Sequence, residues 1–455
     1  MDVRGAGIGY RPEIAASLLR ETRSVDFIEL LFEACAASGL ARREAEAVAR
    51  IWPTVVHGVK LSLGSAEGID VERARRFGDF SRAVGAAAIS EHASFVRAGG
   101  HEIGHLTAIP FCADAARVIA RNVSVARRHL PDVPFLIENV AWGLRPPGDV
   151  MGEGAFHAEI VEQTGCDLLL DVANIYANAR NAGVDPRALL DTYPLERVGM
   201  IHLAGGVLAQ GFYFDTHGHA VEAVVFDLLD LVLRRAGAVP VVLERDEHFP
   251  AFSALQGEVA RARSAVAGAR PSAGPRRAPT PPAIASPAIE VGGAELAELE
   301  VRLAALLCDD DAPEDPAFSA EDVRRARRVL REKRVDDALP LLPRLSAAGQ
   351  GARDIARSHV AATPRARART AVVDAFAIAR AAGRRADLAI AARLDLLVLG
   401  ARFRCDPDGH VAPRRAPFVG RERTETGDAW VVKGLGGNAR VRVFERSRPA
   451  GGHAA

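Results

Sequence analysis

Eight short, β-rich apolar runs alternate with amphipathic helical stretches over roughly the first 250 residues, and this alternation limits the fold more than any other feature of the chain. The runs lie near 4–9, 25–31, 54–59, 86–91, 134–138, 167–172, 198–203 and 239–244. Between them stand helix-period patterns such as PEIAASLLRET, VERARRFGDFSRAVG, CADAARVIARNVSVARRHL and VEAVVFDLLDLVLRRAG. One strand followed by one helix, eight times over, is the arithmetic of a (β/α)8 barrel. An open doubly wound sheet is the competitor, and it calls for a Gly-rich phosphate turn after its first strand. Gly5, Gly7 and Gly9 come close, but Tyr10-Arg11-Pro12 follow and the third glycine of GxGxxG is missing. The barrel is favoured.

At 455 residues the chain is too long for one ordinary domain. The segment 271–287 carries six prolines among Ala, Ser and Arg, which disfavours both helix and strand ladders and marks a linker at 269–289. It separates a barrel at 1–268 from a region at 290–455. There the patterns AELAELEVRLAALL, SAEDVRRARRVLREKR, DDALPLLPRL, TAVVDAFAIARAAG and DLAIAARLDLLVLGARF predict helices. Ser319 with Asp322 reads as an N-terminal cap, and DAWVVKG with ARVRVFER predicts a short terminal β-hairpin. The expected fold class is therefore α/β, a TIM barrel followed by a mainly helical, mildly basic domain.

Metal-compatible side chains sit at the downstream ends of the barrel's strand-like runs. They are His57, His92, Glu138, Asp171, His202, the pair Asp215 and His217, and Glu244. Barrels converge these strand ends on one mouth. Taken singly, each residue is as well explained by a hydrogen bond or a helix cap. As a set they call for a shared cause, because a carboxylate on a buried strand costs several kcal/mol unless paired or metal-bound. Four imidazoles and four carboxylates without a thiolate suit iron, manganese or zinc. They exceed what one catalytic ion uses, so two or three ions sharing Glu138 or Asp171 as a bridge fit better. Asn139 and Asn174 stand beside this set as ligands through side-chain oxygen, as groups behind the ligands, or as backbone caps.

Other signals exclude function classes. The net charge is zero, which gives no footprint for nucleic acid or an anionic membrane. No apolar run approaches the ~18–20 residues of a bilayer span, and the N-terminal segment has no signal-peptide pattern. The five cysteines include no CxxC pair, so a reducing cytoplasm is expected. His101-Glu102-Ile103-Gly104-His105 matches HExxH, but Gly99-Gly100, Gly104 and Pro110 argue for a loop after the fourth strand rather than a protease helix. His105 and His219 read as loop histidines near the mouth. The run Arg324-Arg325-Ala326-Arg327-Arg328 lacks interleaved aromatics and reads as a solvated helix face.

The blocks GIGYRPE, DFIELLFE, VHGVKLSLGSAEG, SEHASF, LTAIPF, IENVAWG, LLLDVANIYANARNAG, IHLAGG, DTHGHAV and LERDEHFP occur in this order across 1–255. In them the chain resembles the multinuclear non-haem iron-dependent oxidative enzymes, which include the MbnB-type enzymes of methanobactin biosynthesis. The resemblance does not reach 290–455. It implies a barrel holding two or three irons of mixed Fe(II) and Fe(III) state, with dioxygen as co-substrate, that modifies a ribosomally made precursor peptide at cysteine. It further implies that the eight residues above are the iron ligands, with Glu138, Asp171 and Asn174 at the catalytic centre. Family members commonly work with a partner protein that presents the peptide, and 290–455 is expected to be a fused counterpart; an oligomerisation or stability module is the plain alternative. The sequence departs from the pattern at Glu91, where aspartate is usual, and at Gly206 and Ala182, where many members carry histidine. The competing class is a divalent-metal barrel hydrolase or isomerase of the sugar isomerase or abasic-site endonuclease type.

Overall fold

A computed structural model describes residues 3–270, 291–309, 311–363, 371–406, 411–424, 427–436 and 440–447. The proline-rich segment 271–287 lies outside the described residues.

All eight expected strands form. They are β1 (Ala6–Gly9), β2 (Ile28–Leu31), β3 (Thr54–His57), β4 (Ala88–His92), β5 (Phe135–Glu138), β6 (Asp167–Asp171), β7 (Val198–Leu203) and β8 (Val241–Leu243). Each pairs in parallel with its sequence neighbours, and β8 pairs with β1 to close the barrel. The helices between them bury one stripe each. Val71–Ala83, for example, starts where Asp70 accepts a hydrogen bond from the Arg73 amide, and it buries Ala74, Phe77, Phe80 and Ser81.

The inward face of the barrel reads as two layers. Phe27, Val55, Ala88, Leu136, Leu169, Met200 and Val242 pack together into an apolar plug. Side chains alternate across a strand, so the residue two positions further on also faces inward. Those residues are Glu29, His57, Ser90, Glu138, Asp171, His202 and Glu244, with His92 two beyond Ser90. The plug excludes water from below, and the polar layer sits directly above it. Two local features keep the layers in phase. Gly7 leaves room for the Phe27 ring, which a Cβ there would meet at 2.7 Å. A register shift at Leu168/Leu169 pairs Leu169 with Met200 and Asp171 with His202, a bulge that re-aims β7.

Two expectations about local structure change. The HExxH segment is neither loop nor helix: His101–Thr107 is a strand, paired with Phe95–Ala98 as a two-stranded sheet after β4. Positive φ at Gly99 and Gly100 makes the tight turn between these strands. Residues i and i+4 of a strand do not form the helix-borne pair that the zinc-protease motif needs, so that reading is excluded. Beyond the linker, the terminal hairpin gains a strand: Phe418–Arg423, Gly427–Lys433 and Val441–Ser447 form a three-stranded antiparallel sheet. The stretch DDALPLLPRL does not form one helix. Its prolines divide it into a 3-10 turn at Leu339–Leu341 and a short helix at Pro343–Ala347.

The chain divides into two compact units. The first comprises Met1–Gly99, Gly104–Leu303 and Pro316–Ser319; the second comprises Gly100–Ile103, Ala304–Asp315 and Ala320–Ala455. The boundary thus falls inside the helix Val291–Cys308, whose first part belongs with the barrel. Within the second unit, helices bury Val335, Leu342, Leu345, Ala356, Ile378 and Leu399 in one core. Arg334 there forms a buried two-pronged pair with Asp374 at 2.9 and 3.1 Å, and Val431 of the sheet packs on Val398 and Ala401. No helix among the described residues is long and apolar enough to cross a membrane.

Candidate metal centre

The eight side chains singled out from the sequence meet at one end of the barrel in three overlapping groups. His57, His92 and Glu138 form the first; Glu138, Asp171, His202 and Glu244 the second; Asp171, Asp215 and His217 the third. Within each group the potential ligand atoms lie within 4.8 Å of one another. Glu138 belongs to the first and second groups, and Asp171 to the second and third. The two carboxylates named from the sequence as candidate bridges are thus the two side chains that adjoining groups share.

The distances follow from the register. Glu138 Oε2 is 3.4 Å from His57 Nε2 and 3.2 Å from His92 Nε2, and Glu138 Oε1 is 3.1 Å from His202 Nδ1. Glu244 Oε2 reaches His202 Nδ1 at 3.1 Å and His217 Nδ1 at 3.3 Å. Asp215 Oδ2 is 2.7 Å from His217 Nε2, which lies 3.8 Å from Asp171 Oδ2. Six of the eight are buried, and only Asp215 and His217 are partly exposed. His217 sits at φ 51°, a left-handed conformation costly for a non-glycine residue and common at functional sites.

Partners behind the ligands fix their orientation. His57 Nδ1 is 2.8 Å from Ser90 Oγ, and His92 Nδ1 is 3.3 Å from Glu91 Oε1. Glu91 also accepts from the Leu61 and His92 amides, so its carboxylate ties His92 to the loop that follows β3. Asp246 Oδ2 lies 3.4 Å from His217 Nδ1 while its other oxygen accepts from Arg11 at 2.6 and 3.0 Å. Each such pair leaves one ring nitrogen aimed at the centre, the arrangement typical of metal-ligating histidines.

The asparagines divide. Asn139 is fully used by the backbone of Asp171: its Oδ1 accepts from the Asp171 amide at 2.9 Å and its Nδ2 donates to the Asp171 carbonyl at 3.0 Å. It is a buttress. Asn174 donates Nδ2 to the Asn139 carbonyl at 3.0 Å, and its backbone N–H donates to Asp171 Oδ1 at 2.8 Å, so that Asp171 caps the helix. That capping turns strand β6 into the helix Val172–Ala182 at the ligand itself.

The residues fit a cation. Glu138 Oε2, Asp171 Oδ2, Asn174 Oδ1 and Asp215 Oδ1 are buried acceptors without a hydrogen-bond donor among the described residues. Orphaned acceptors are costly, and four at one centre point to a positive ligand. The charge states agree. Burial works against a charged His92, but Glu138 and Glu91 raise its pKa to about 9. Burial likewise opposes charge on His202 and His217, yet the carboxylates around them hold both well above the ordinary value. Burial and then Asp215 push Asp171 well above the usual carboxylate range. Burial would also raise Glu244, but His202 and His217 hold it well below. The buried carboxylates thus favour positive charge at this centre.

Some expected participants stay outside. His105 and His219 belong to none of the three groups. His219 Nδ1 sits 3.2 Å from Thr216 Oγ1 and its ring packs near His248. At Gly206 a Cβ would meet the Phe214 carbonyl at 2.4 Å and the Tyr213 ring at 2.6 Å. Tyr213 occupies that space and donates its hydroxyl to Glu222 at 2.8 Å. Ala182 is exposed at its helix end. One member of the polar layer was missed from sequence: Glu29, buried on β2, 3.0 Å from His202 Nε2. It lies inside the run 25–31, with Leu30 and Leu31 following it, so a reading of strand ends alone passes it over.

With that geometry in hand, comparison with known proteins identifies the chain's family. A profile of the RiPP precursor modification enzymes MbnB/TglH/ChrH matches residues 5–267, and the chain belongs to this family, which acts on ribosomally synthesised, post-translationally modified peptides. Relatives carry the name UPF0276 protein. One from Streptomyces avermitilis is 39% identical over 57% of this chain and 54% of its own length, so the match spans about half of that protein. Another from Acaryochloris marina is 32% identical over 59% of this chain and 97% of its own length. Among solved structures, endonuclease IV from Thermus thermophilus is 19% identical with a TM-score of 0.40, covering 57% of this chain and 98% of that one. A xylose isomerase domain protein from Planctomyces limnophilus is 14% identical with a TM-score of 0.40, covering 59% and 99%. Likenesses at that level carry no argument about activity.

Proposed function

We propose that the barrel is a multinuclear non-haem iron oxidoreductase that uses dioxygen to modify a cysteine of a ribosomally made precursor peptide in the cytoplasm. The observation that carries this reading is the run of three ligand groups joined through Glu138 and Asp171, in a chain of a peptide-modifying family. His57, His92, Glu138, Asp171, His202, Asp215, His217 and Glu244 would hold two or three irons, with Asn174 offering its orphaned Oδ1 beside Asp171. Bound ferrous and ferric ions supply the redox chemistry that activates dioxygen. The chain's own part is to hold open ligand positions, to keep water from the centre by the apolar plug beneath it, and to present a peptide at the mouth. We assign that last task to the region beyond the linker, where tethering would raise the local concentration of a bound peptide.

The test uses full-length protein isolated without oxygen. Elemental analysis should find two or three irons per chain. Incubation with reductant, dioxygen and a short cysteine-containing peptide encoded beside its gene should change the peptide's mass. Zinc in place of iron, or an unaltered mass with iron-loaded protein, would overturn the reading in favour of hydrolytic or isomerase chemistry.

A further inference from the structure

We propose that Glu29 is a positioning residue for the middle ion of the centre, holding His202 as the ring form that carries its proton on Nε2 and offers Nδ1 to the metal; this rests on the metal-centre reading above.

His202 is fully buried and is approached from two sides. Its Nδ1 lies 3.1 Å from Glu138 Oε1 and 3.1 Å from Glu244 Oε2, the two carboxylates that share the second ligand group with it. Its Nε2 points the other way, 3.0 Å from Glu29 Oε1. Glu29 belongs to none of the three ligand groups, although it occupies the same layer of the barrel, two residues after the plug residue Phe27. An imidazole that gives the lone pair of one nitrogen to a cation keeps its proton on the other nitrogen, which then needs an acceptor. With Glu29 behind the ring, that nitrogen is Nε2, and the lone pair of Nδ1 faces Glu138 and Glu244. The carboxylate also makes the ring a stronger donor to a cation.

The other two imidazoles of the first and second groups are held differently. His57 has a hydroxyl, Ser90 Oγ, behind it, and His92 has Glu91; both rings present Nε2 to the centre. His202 alone among these three presents Nδ1. Its ring therefore needs an acceptor on the β2 side of the barrel interior, and Glu29 is placed there by the strand period.

Cobalt(II) is a suitable probe, since its visible bands report ligand geometry without turnover. The full-length protein, Glu29→Leu and the isosteric Glu29→Gln are loaded with cobalt and challenged with a graded chelator. Glu29→Leu should release one equivalent at ~10–100-fold lower chelator concentration than the unmodified chain, with a change in the visible bands, while the other equivalents hold. Glu29→Gln keeps an acceptor oxygen, and should recover most of that affinity. If Glu29→Leu fails to fold, Glu29→Gln decides alone: a band position and release curve between those of the intact centre and a His202→Ala control support the role. Release of every ion together, or curves unchanged in both variants, overturns it. An unmodified chain that takes up no cobalt overturns the metal-centre reading instead, which keeps the two failures distinct.

Discussion

Asp171 shows how much one side chain is asked to do. Its backbone is pinned on both sides by Asn139, one carboxylate oxygen caps the helix that starts beside it, and the other faces the centre without a donor. Removing the buttress should therefore be expensive. Asn139→Ala leaves a buried amide and a buried carbonyl unpaired, at ~1–3 kcal/mol each. Denaturant unfolding should show a loss of about 2–5 kcal/mol, and a loss below ~1 kcal/mol would mean that water or a shifted strand end replaces Asn139. The imidazoles make a second expectation. The carboxylates around them favour the protonated rings of His92, raised to about 9, and of His202 and His217, both held well above the ordinary value, in the metal-free protein. Metal ligation needs the lone pairs those protons occupy. Loading a weakly buffered sample with divalent metal at pH 7 should thus release protons, visible to an indicator dye. Uptake without release would place the metal elsewhere.

At the scale of elements, the informative contact is made by a helix that the sequence assigned to the far side of the linker. Glu300, on the helix Val291–Cys308, is buried, and its two oxygens accept from the Ala66 amide at 2.9 and 3.2 Å. Ala66 lies in the loop that follows His57. Burial raises the Glu300 pKa from 4.5 to about 8. Since the folded state prefers the protonated carboxyl, its contribution is most favourable below pH 4.5 and is lost as the pH rises towards 8. Thermal unfolding between pH 5 and 8 should therefore show a declining midpoint that Glu300→Gln flattens. The same slope in the variant would show that the carboxyl is solvated or repaired by a neighbour. The sequence marked the proline-rich segment as the divide, and it had no means of showing that residues beyond it complete the barrel unit.

For the molecule as a whole, the division of labour can be tested by cutting. Deleting 320–455 should leave the metal content of the barrel unit intact, because all eight proposed ligands lie before residue 250. Affinity for the precursor peptide should fall by at least ~10-fold, the size of effect that a tethered binding module gives. Binding that is unchanged by the deletion would return this unit to a role in stability or self-association. The same measurement on a chain with a lengthened linker distinguishes effective concentration from direct contact.

The strand–helix alternation and the side chains that converge at one end of the barrel were legible from the residues because both rest on period. A strand buried at one end by a plug shows an apolar run with a polar residue at or beside its end, and six of the eight barrel strands do so, at His57, His92, Glu138, Asp171, His202 and Glu244. The HExxH segment shows the limit of a motif without context, since two glycines turn it into a hairpin strand. Which ring nitrogen faces the centre, which asparagine is a buttress and which carboxylates are shared between groups were decided only by tertiary structure. Those choices depend on register between strands that are far apart in the chain. A bulge on β7 and the placement of Glu29 behind His202 set distances of about 3 Å that no spacing along the sequence encodes.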